Sequence, residues 1–202
     1  MIEEIEIKFN GKNLFYRYER ANGSSKNLIL LHGFAFTSKE WENIGIIQKM
    51  SRLGFNIYAV DYPGFGSSES NDNFSIQRGN ALNGASFILA FMDFMGIGRA
   101  SVIGASMGGG IAILGATDSE MRIDKMIVIG PGWYPKDSLK LIHIPTLFIY
   151  GDRDELLRDE DLIPSLSENN NFSINIMENS GHAAYLDNPE IFLRVCEGFL
   201  KN

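Results

Sequence analysis

Apolar and polar positions alternate at the start of the chain, and this pattern predicts an antiparallel β-hairpin. On both sides of the dipeptide Asn10-Gly11, apolar side chains occur at every second position: Ile5, Ile7 and Phe9 before it, and Leu14, Tyr16 and Tyr18 after it. An Asn-Gly pair between alternating segments is typical of a type I′ turn, because both residues tolerate a positive φ. The chain is therefore expected to begin with two paired strands.

Further along, short continuous apolar runs predict strands that are buried on both faces. These runs are 27–31, Phe55–Val60, 100–103, 125–129, 146–150 and Phe172–Met177. Helical spacing of apolar residues predicts one helix from the capping-box sequence at Thr37 to Gly54, and others over 82–95, from near Ser106, over 160–166 and over 189–200. The alternation predicts an α/β fold, with a mostly parallel β-sheet, helices on both faces and an N-terminal antiparallel hairpin.

Composition narrows the class of protein. The 202 residues carry a net charge of -7 and 45% of them are hydrophobic, so a single domain over 1–202 with a sizeable core is expected. An acidic chain lacks the positive charge that binds a phosphate backbone, so no nucleic-acid partner is expected. Three scattered histidines and one cysteine offer no metal-ligand spacing, and no nucleotide-binding glycine motif is complete. Neither a metal nor a cofactor is expected.

The charge pattern also bears on the location of the protein. No basic segment followed by an apolar run begins the sequence, so we expect no signal peptide and a cytoplasmic location. Residues 100–117 carry no charge, but their glycines favour a strand, a turn and a helix over a membrane span.

The residues after each predicted strand carry the candidate chemistry, because ligands of parallel sheets bind at the carboxyl ends of the strands. The sequence Gly104-Ala105-Ser106-Met107-Gly108 follows one strand and opens a helix. This G-x-S-x-G pattern is typical of a serine on a tight strand-to-helix turn, where small residues two positions away prevent a collision. With 21 Gly in the chain the pattern alone is weak evidence, and its placement makes Ser106 the candidate nucleophile.

A serine nucleophile needs a base. His182 follows the Phe172–Met177 strand, which places it at the same edge of the sheet as Ser106 and makes it the candidate base. His143 precedes a strand and His32 lies in a glycine turn, so we expect structural roles for both.

The base in turn needs an acid that holds its tautomer. Asp154 lies in the loop after the 146–150 strand and is the candidate acid. Asp152, in the same loop, is expected to form hydrogen bonds with local backbone, and Asp61, which follows another strand, is the second candidate.

With these residues placed, the sequence resembles the α/β-hydrolase fold family over nearly its whole length. The matching stretches are 30–34, 61–68, 104–109, 151–154 and 181–182. The resemblance implies Ser106 as nucleophile, His182 as general base and then acid, and Asp154 as its orienting partner. It also implies an oxyanion hole formed by the backbone N–H groups of Phe34 and Met107.

Larger members of that family insert a helical cap where this chain has only a short connection between Ile129 and Thr146. We therefore expect no cap domain and an open site. The candidate walls of the substrate pocket are apolar and mostly aromatic: Phe34, Phe36, Phe65, Met107, Trp133, Tyr134 and Tyr185. An apolar rim suits a small-molecule acyl substrate with a hydrophobic acyl part.

The expected function is that of a serine hydrolase that cleaves a carboxylic ester or thioester through an acyl-enzyme. Two alternatives remain open: a catalytically silent interaction protein on this fold, and a non-hydrolytic relative such as a lyase, an acyltransferase or a perhydrolase. A silent protein would usually lose one member of the triad, whereas all three are present here.

Overall fold

The computed structural model describes residues 1–23, 26–118 and 122–201 of the chain. The described strands are β1 (Glu3–Phe9), β2 (Lys12–Glu19), β3 (Lys26–Leu31), β4 (Phe55–Val60), β5 (Ala100–Ala105), β6 (Ile123–Ile129), β7 (Thr146–Gly151) and β8 (Phe172–Met177). The α-helices are α1 (Lys39–Asn43), α2 (Ile46–Arg52), α3 (Leu82–Phe94), α4 (Met107–Asp118), α5 (Leu162–Ser167), α6 (Ala184–Asp187) and α7 (Pro189–Lys201). Short 3-10 helices lie at Asp72–Phe74, Lys136–Leu141 and Glu155–Arg158.

The strands form one sheet with the order β1-β2-β4-β3-β5-β6-β7-β8. β2 pairs antiparallel with β1 and with β4, whereas the other pairs are parallel. The hairpin turn has φ +48° at Asn10 and φ +78° at Gly11, as a type I′ turn requires. The predicted mostly parallel sheet with an N-terminal antiparallel hairpin is confirmed.

Helices cover both faces of the sheet, as predicted. Leu28 and Leu30 of β3 belong to a buried cluster with residues of α1, α2 and α7. Ile29 and Leu31 of the same strand belong to a second cluster with residues of α3 and α4. Because successive side chains of a strand point to opposite faces, a run that is apolar throughout is what a strand between two helix layers needs.

The prediction of one helix up to Gly54 is wrong. The predicted capping segment is hydrogen-bonded at the helix start: the Thr37 amide donates to Glu40 Oε2 at 2.7 Å, and the Lys39 amide donates to Thr37 Oγ1 at 3.2 Å. The helix then ends, because Gly45 takes a left-handed conformation with φ +77°. A glycine just past a helix end is a common stop signal, and here it divides the segment into α1 and α2.

Residues 130–145, between β6 and β7, contain only the Lys136–Leu141 3-10 helix. No cap is therefore inserted at this point of the sheet edge. Among the residues that the structure describes, no helix combines the length and the apolar character needed to cross a bilayer.

Candidate active site

The strand order brings Ser106, Asp154 and His182 together. They follow β5, β7 and β8, which are parallel members of one sheet, so their carboxyl ends lie at the same edge. His182 Nε2 lies 3.0 Å from Ser106 Oγ, and His182 Nδ1 lies 3.0 Å from Asp154 Oδ2. One imidazole thus connects the serine hydroxyl to the carboxylate of Asp154.

Ser106 lies on a strained turn between β5 and α4. Its φ is +51°, a conformation that costs a residue other than glycine roughly 1–2 kcal/mol. Three backbone hydrogen bonds hold the turn: the Ser106 amide donates to the Ile129 carbonyl at 2.8 Å, and the Ser106 carbonyl accepts from the amides of Gly110 and Gly132, each at 3.1 Å. These bonds fix Ser106 to the end of β6 and to the loop that follows it.

The glycines two positions before and after Ser106 are required by close backbone approach. A Cβ on Gly108 would collide with the carbonyl of Leu31, the last residue of β3. A Cβ on Gly104 would collide with the carbonyl of Gly108 and would lie 2.8 Å from the Gly109 nitrogen. The spacing of the sequence motif therefore follows from the packing of the turn against β3 and against itself.

Asp154 is nearly buried, and its two carboxylate oxygens have separate partners. Oδ2 faces His182, and Oδ1 accepts from the Leu156 amide at 3.1 Å, which caps the 3-10 helix Glu155–Arg158. Burial raises the pKa of Asp154, but the hydrogen bonds from His182 and Leu156 and the charge of His182 hold the pKa below its ordinary value. Asp154 is therefore ionised near neutral pH.

The carboxylate of Asp154 determines the tautomer of His182 and raises its pKa. An ionised carboxylate only accepts hydrogen bonds, so His182 Nδ1 carries the proton and, in the neutral ring, Nε2 accepts from the Ser106 hydroxyl. The hydrogen bond to Asp154 raises the pKa of His182, burial lowers it, and the negative charge of Asp154 raises it again, with a net rise. The His182 side chain remains 49% exposed, so a substrate can reach it.

The loop that carries His182 is held by the loop after β7. The Ser180 amide donates to Asp152 Oδ1 at 3.0 Å, and the Arg153 amide donates to the Ser180 carbonyl at 2.9 Å. Hydrogen bonds from the backbone of Asn179 and Ser180 lower the pKa of Asp152. Asp152 was expected to bond local backbone. Its carboxylate does interact with its own backbone, and it also reaches the neighbouring loop, 28 positions along the chain.

Gly130 is part of the site, although sequence reasoning missed it. Its φ is +47°, and a Cβ on it would lie 3.0 Å from Asp154 Oδ2 and 3.0 Å from both Nδ1 and Cε1 of His182. β6 lies between β5 and β7, so the residue after β6 passes beside the His182–Asp154 pair. Its position directly after an apolar run is the signal that could have found it.

The backbone amides of Phe34 and Met107 lie beside this site. Phe34 follows Gly33, where a Cβ would be 3.6 Å from Ser106 Cβ, and Met107 follows Ser106 as the first residue of α4. Within the described parts of the chain, no backbone or side-chain acceptor takes a hydrogen bond from either amide. Neither N–H group is therefore committed to an acceptor within the described residues.

A pocket of about 200 Å³ opens over Ser106 and His182. Four of the predicted wall residues line it: Phe34, Phe36, Trp133 and Tyr185. Met107 is fully buried and does not line it. Phe65 lies outside the pocket, packed behind the Phe34 ring at a centroid distance of 5.5 Å. Tyr134 also lies outside: its half-buried side chain packs against the core and lines a different groove, and burial raises its pKa to about 12. Arg78, which sequence reasoning missed, lines the same pocket.

A larger groove of about 670 Å³ lies elsewhere, between the 3-10 helix Lys136–Leu141 and α5. It is lined by none of Ser106, Asp154 and His182, and it includes the exposed His143. Within the described residues, no group of three or more His, Cys, Asp or Glu side chains is arranged to hold a metal ion.

His32 and Asp61 have partners other than the serine. The His32 ring is fully buried, its Nδ1 lies 2.8 Å from the Gly33 carbonyl, and its Nε2 accepts from the Tyr62 amide at 3.3 Å. Burial lowers the pKa of His32, so the ring is neutral. The carboxylate of Asp61 accepts from the amides of Ser38 and Ser67, at 2.6 and 3.0 Å. The structure does not bring either residue into the Ser106 hydrogen-bond path.

Known proteins are similar to this chain over most of its length. The rat (Rattus norvegicus) protein named "Putative protein-lysine deacylase ABHD14B" is 29% identical over 195 residues, covering 94% of this chain and 91% of its own. The human (Homo sapiens) protein ABHD14A is 32% identical over 176 residues, covering 86% of this chain and 63% of its own. The crystal structure of a "predicted CIB-like hydrolase" from Thermoplasma acidophilum, 33% identical, superimposes with a TM-score of 0.94 and covers 100% of this chain and 99% of its own.

The model of the alpha/beta hydrolase fold family matches residues 26–143, a segment that runs from β3 through the serine turn to the connection before β7. This match covers more than half of the chain, and it agrees with the sheet order and with hydrolase relatives of nearly the same length. The chain belongs to the alpha/beta hydrolase fold family.

Proposed function

We propose that this protein is a serine hydrolase that cleaves a carboxylic ester or thioester, with Ser106 as nucleophile, His182 as general base and acid, and Asp154 as the residue that orients His182. The observation that carries the proposal is the hydrogen-bond path from Ser106 Oγ through His182 to Asp154, with both distances at 3.0 Å. A serine hydroxyl is a weak nucleophile at neutral pH, and an adjacent base with a fixed tautomer is what activates it.

In the proposed mechanism, Ser106 Oγ attacks the acyl carbonyl carbon while its proton moves to His182 Nε2. The carbonyl oxygen becomes an oxyanion, which accepts hydrogen bonds from the amides of Phe34 and Met107. Loss of one such donor typically raises the barrier by roughly 2.7–4 kcal/mol. The bond to the leaving alcohol or thiol then breaks, and the leaving group takes the proton from His182.

Water completes the cycle. His182, now neutral, takes a proton from a water molecule that attacks the acyl-enzyme, and the carboxylic acid leaves as Ser106 regains its proton. The electrostatic arrangement supports this sequence, because the negative charge of Asp154 stabilises the imidazolium that forms twice in each turnover. The apolar walls of the pocket favour a hydrophobic acyl chain.

The decisive test is the Ser106→Ala variant. We expect it to lose hydrolysis of p-nitrophenyl esters and to lose covalent labelling by a fluorophosphonate reagent, with an unchanged circular dichroism spectrum. Ser167→Ala, an exposed serine on α5, is the matched control and should retain both activities. Labelling that persists in Ser106→Ala would refute the assignment, and wild-type protein that neither labels nor hydrolyses would favour a silent interaction protein.

The bond that is cleaved needs its own comparison. Esters, thioesters and acyl-lysine amides of equal acyl length should be compared. The acyl-lysine amides are included because one relative carries the name of a putative protein-lysine deacylase. We expect ester and thioester turnover to exceed amide turnover. A product that appears only when an added alcohol or thiol accepts the acyl group would instead indicate an acyltransferase.

A further inference from the structure

Arg78 is the one permanently charged side chain among the described residues that line the active-site pocket. The other lining residues are apolar, small or aromatic, apart from Ser106 and the titratable His182. A guanidinium stays protonated at any physiological pH and offers five N–H donors in a planar fork. Arg78 is exposed to solvent, and its charge makes an anion the natural binding partner at the mouth of this otherwise apolar pocket.

That partner is not supplied by the protein. In the described parts of the chain, the Arg78 side chain takes part in no ion pair, hydrogen bond or ring contact, and no aspartate or glutamate lines the pocket. By contrast, the buried Arg17 is paired with Glu4 and with Glu42, each at 2.8 Å. The protein as a whole carries a net charge of -7, so an anionic ligand is repelled unless a local cation offsets the field.

The segment that carries Arg78 is anchored at both ends. The Asn80 amide donates to the Gln77 carbonyl at 3.0 Å, which closes a turn with Arg78 and Gly79 at its tip. Asn83 Nδ2 donates to the Ser75 carbonyl at 2.8 Å, which ties the segment to the start of α3.

Packing of the segment adds to these hydrogen bonds. A Cβ on Gly84 would lie 3.3 Å from Ile76 Cδ1, so Ile76 packs directly on α3. Arg78 is therefore presented at the pocket by a fixed turn.

We propose that Arg78 binds an anionic group of the substrate, so that the natural substrate of this site is an acyl ester or thioester that carries a carboxylate or a phosphate. The proposal rests on the proposed serine hydrolase function and narrows it to a substrate class. A guanidinium matches the two oxygens of a carboxylate or a phosphate in a bidentate pair. The apolar walls then hold the carbon chain between that anion and the reacting carbonyl.

The test compares two pairs of substrates of matched length. For an anion on the acyl part, the pair is mono-p-nitrophenyl adipate and the neutral p-nitrophenyl hexanoate. For an anion on the leaving group, the pair is 4-acetoxybenzoate and its neutral methyl ester. The quantity measured is the ratio of kcat/KM for the anionic substrate to kcat/KM for the neutral one. It is measured for wild type, Arg78→Gln, Arg78→Lys and Arg194→Gln. Arg194→Gln is the control, because it makes the same change of charge on α7, outside the pocket.

We expect Arg78→Gln to lower this ratio about tenfold in one of the two pairs, which corresponds to about 1.4 kcal/mol, within the range of hydrogen bonds to charged groups. The lower ratio should result from a higher KM for the anionic substrate, with kcat nearly unchanged. The effect of Arg78→Gln should be smaller at high salt, because exposed charges are screened, and Arg78→Lys should partly restore the wild-type ratio. Arg194→Gln should leave the ratio unchanged. A ratio that Arg78→Gln leaves unchanged in both pairs overturns the proposal.

Binding separates failure of this proposal from failure of the proposed function. In the Ser106→Ala background, calorimetry gives the Kd of the adipate monoester and the Kd of 4-acetoxybenzoate, each with and without Arg78→Gln. An approximately tenfold weaker Kd for one of the two supports the role of Arg78 even if the wild-type protein hydrolyses nothing. An unchanged Kd for both, together with wild-type esterase activity that depends on Ser106, rejects the role of Arg78 and retains the serine hydrolase.

Discussion

Substitution of Gly130 by alanine tests whether the backbone after β6 sets the geometry of the His182–Asp154 pair. Gly130 has φ +47°, and an added Cβ would lie 3.0 Å from Asp154 Oδ2 and 3.0 Å from His182 Nδ1. Non-bonded heavy atoms prefer separations of roughly 3.5–4.0 Å, so the two side chains must move by about 0.5 Å or more. The hydrogen bond between them lies at this place, so the movement changes the hydrogen bond itself.

Two effects add in this variant, and their magnitudes can be separated. An alanine in the left-handed region costs roughly 1–2 kcal/mol, which lowers Tm by about 2–8 °C in a chain of this size. A misplacement of about 1 Å in an active site costs roughly a hundredfold in rate, so a shift of about 0.5 Å should cost about tenfold. We therefore expect Gly130→Ala to lower both Tm and kcat.

The matched control is Gly11→Ala. Gly11 has φ +78° in the hairpin turn and no atom within 4 Å of its added Cβ, so it carries the backbone cost without the collision. The assay measures kcat and KM on a short p-nitrophenyl ester, and Tm by calorimetry. Gly11→Ala should lower Tm while keeping the wild-type kcat. If Gly130→Ala also keeps the wild-type kcat, with a loss of Tm equal to that of Gly11→Ala, the reasoning about Gly130 is wrong.

Two further predictions concern the carboxylates near the site. In the proposed mechanism, neutral His182 is the active form of the base. Because Asp154 raises the pKa of His182, kcat/KM should fall as the pH drops through a value above 6.5. Asp154→Asn should move this fall to lower pH and reduce the maximal rate by roughly 10³–10⁴. A pH–rate profile whose acid limb stays in place in Asp154→Asn contradicts the assignment. Asp152→Asn weakens the hydrogen bond to the Ser180 amide, so it should lower kcat about tenfold with little change in KM. The control Asp124→Asn, near the amino end of β6, should change neither kcat nor KM. Equal effects of the two variants would show that Asp152 does not position His182.

Much of this arrangement could be predicted from the sequence, because it depends on local patterns. Apolar runs located the strands, and parallel strands bring their carboxyl ends to one edge, so Ser106, Asp154 and His182 could be expected near one another before any distance was known. The glycines beside Ser106 also followed from the motif, since their collisions involve the turn itself and the end of β3, Leu31.

What the sequence could not reveal depends on distances between segments that are far apart along the chain. Gly130 matters because β6 lies between β5 and β7, and strand order is a property of the whole sheet. Arg78 lies in a turn that resembles ordinary surface loop, and only the folded chain places it at the pocket. Tyr134 was predicted to be a wall because it lies in the short connection between β6 and β7, yet its half-buried side chain packs against the core and lines a different groove.

The loop after β6 connects the features of the site that the sequence pattern treats separately. The Ile129 carbonyl and the Gly132 amide bond the strained turn of Ser106, at 2.8 and 3.1 Å, so this loop helps to offset the cost of the positive φ there. One residue after Ile129, Gly130 leaves room for the imidazole of His182. Trp133, which has φ +67°, packs its ring against the ring of Phe34, and both rings line the pocket. A single short segment, 129–133, therefore supports the serine turn, the His182 ring and the pocket wall. A cap inserted after residue 135 would leave these contacts intact. An insertion within 130–133 would break the contacts to the serine turn, to His182 and to the pocket wall.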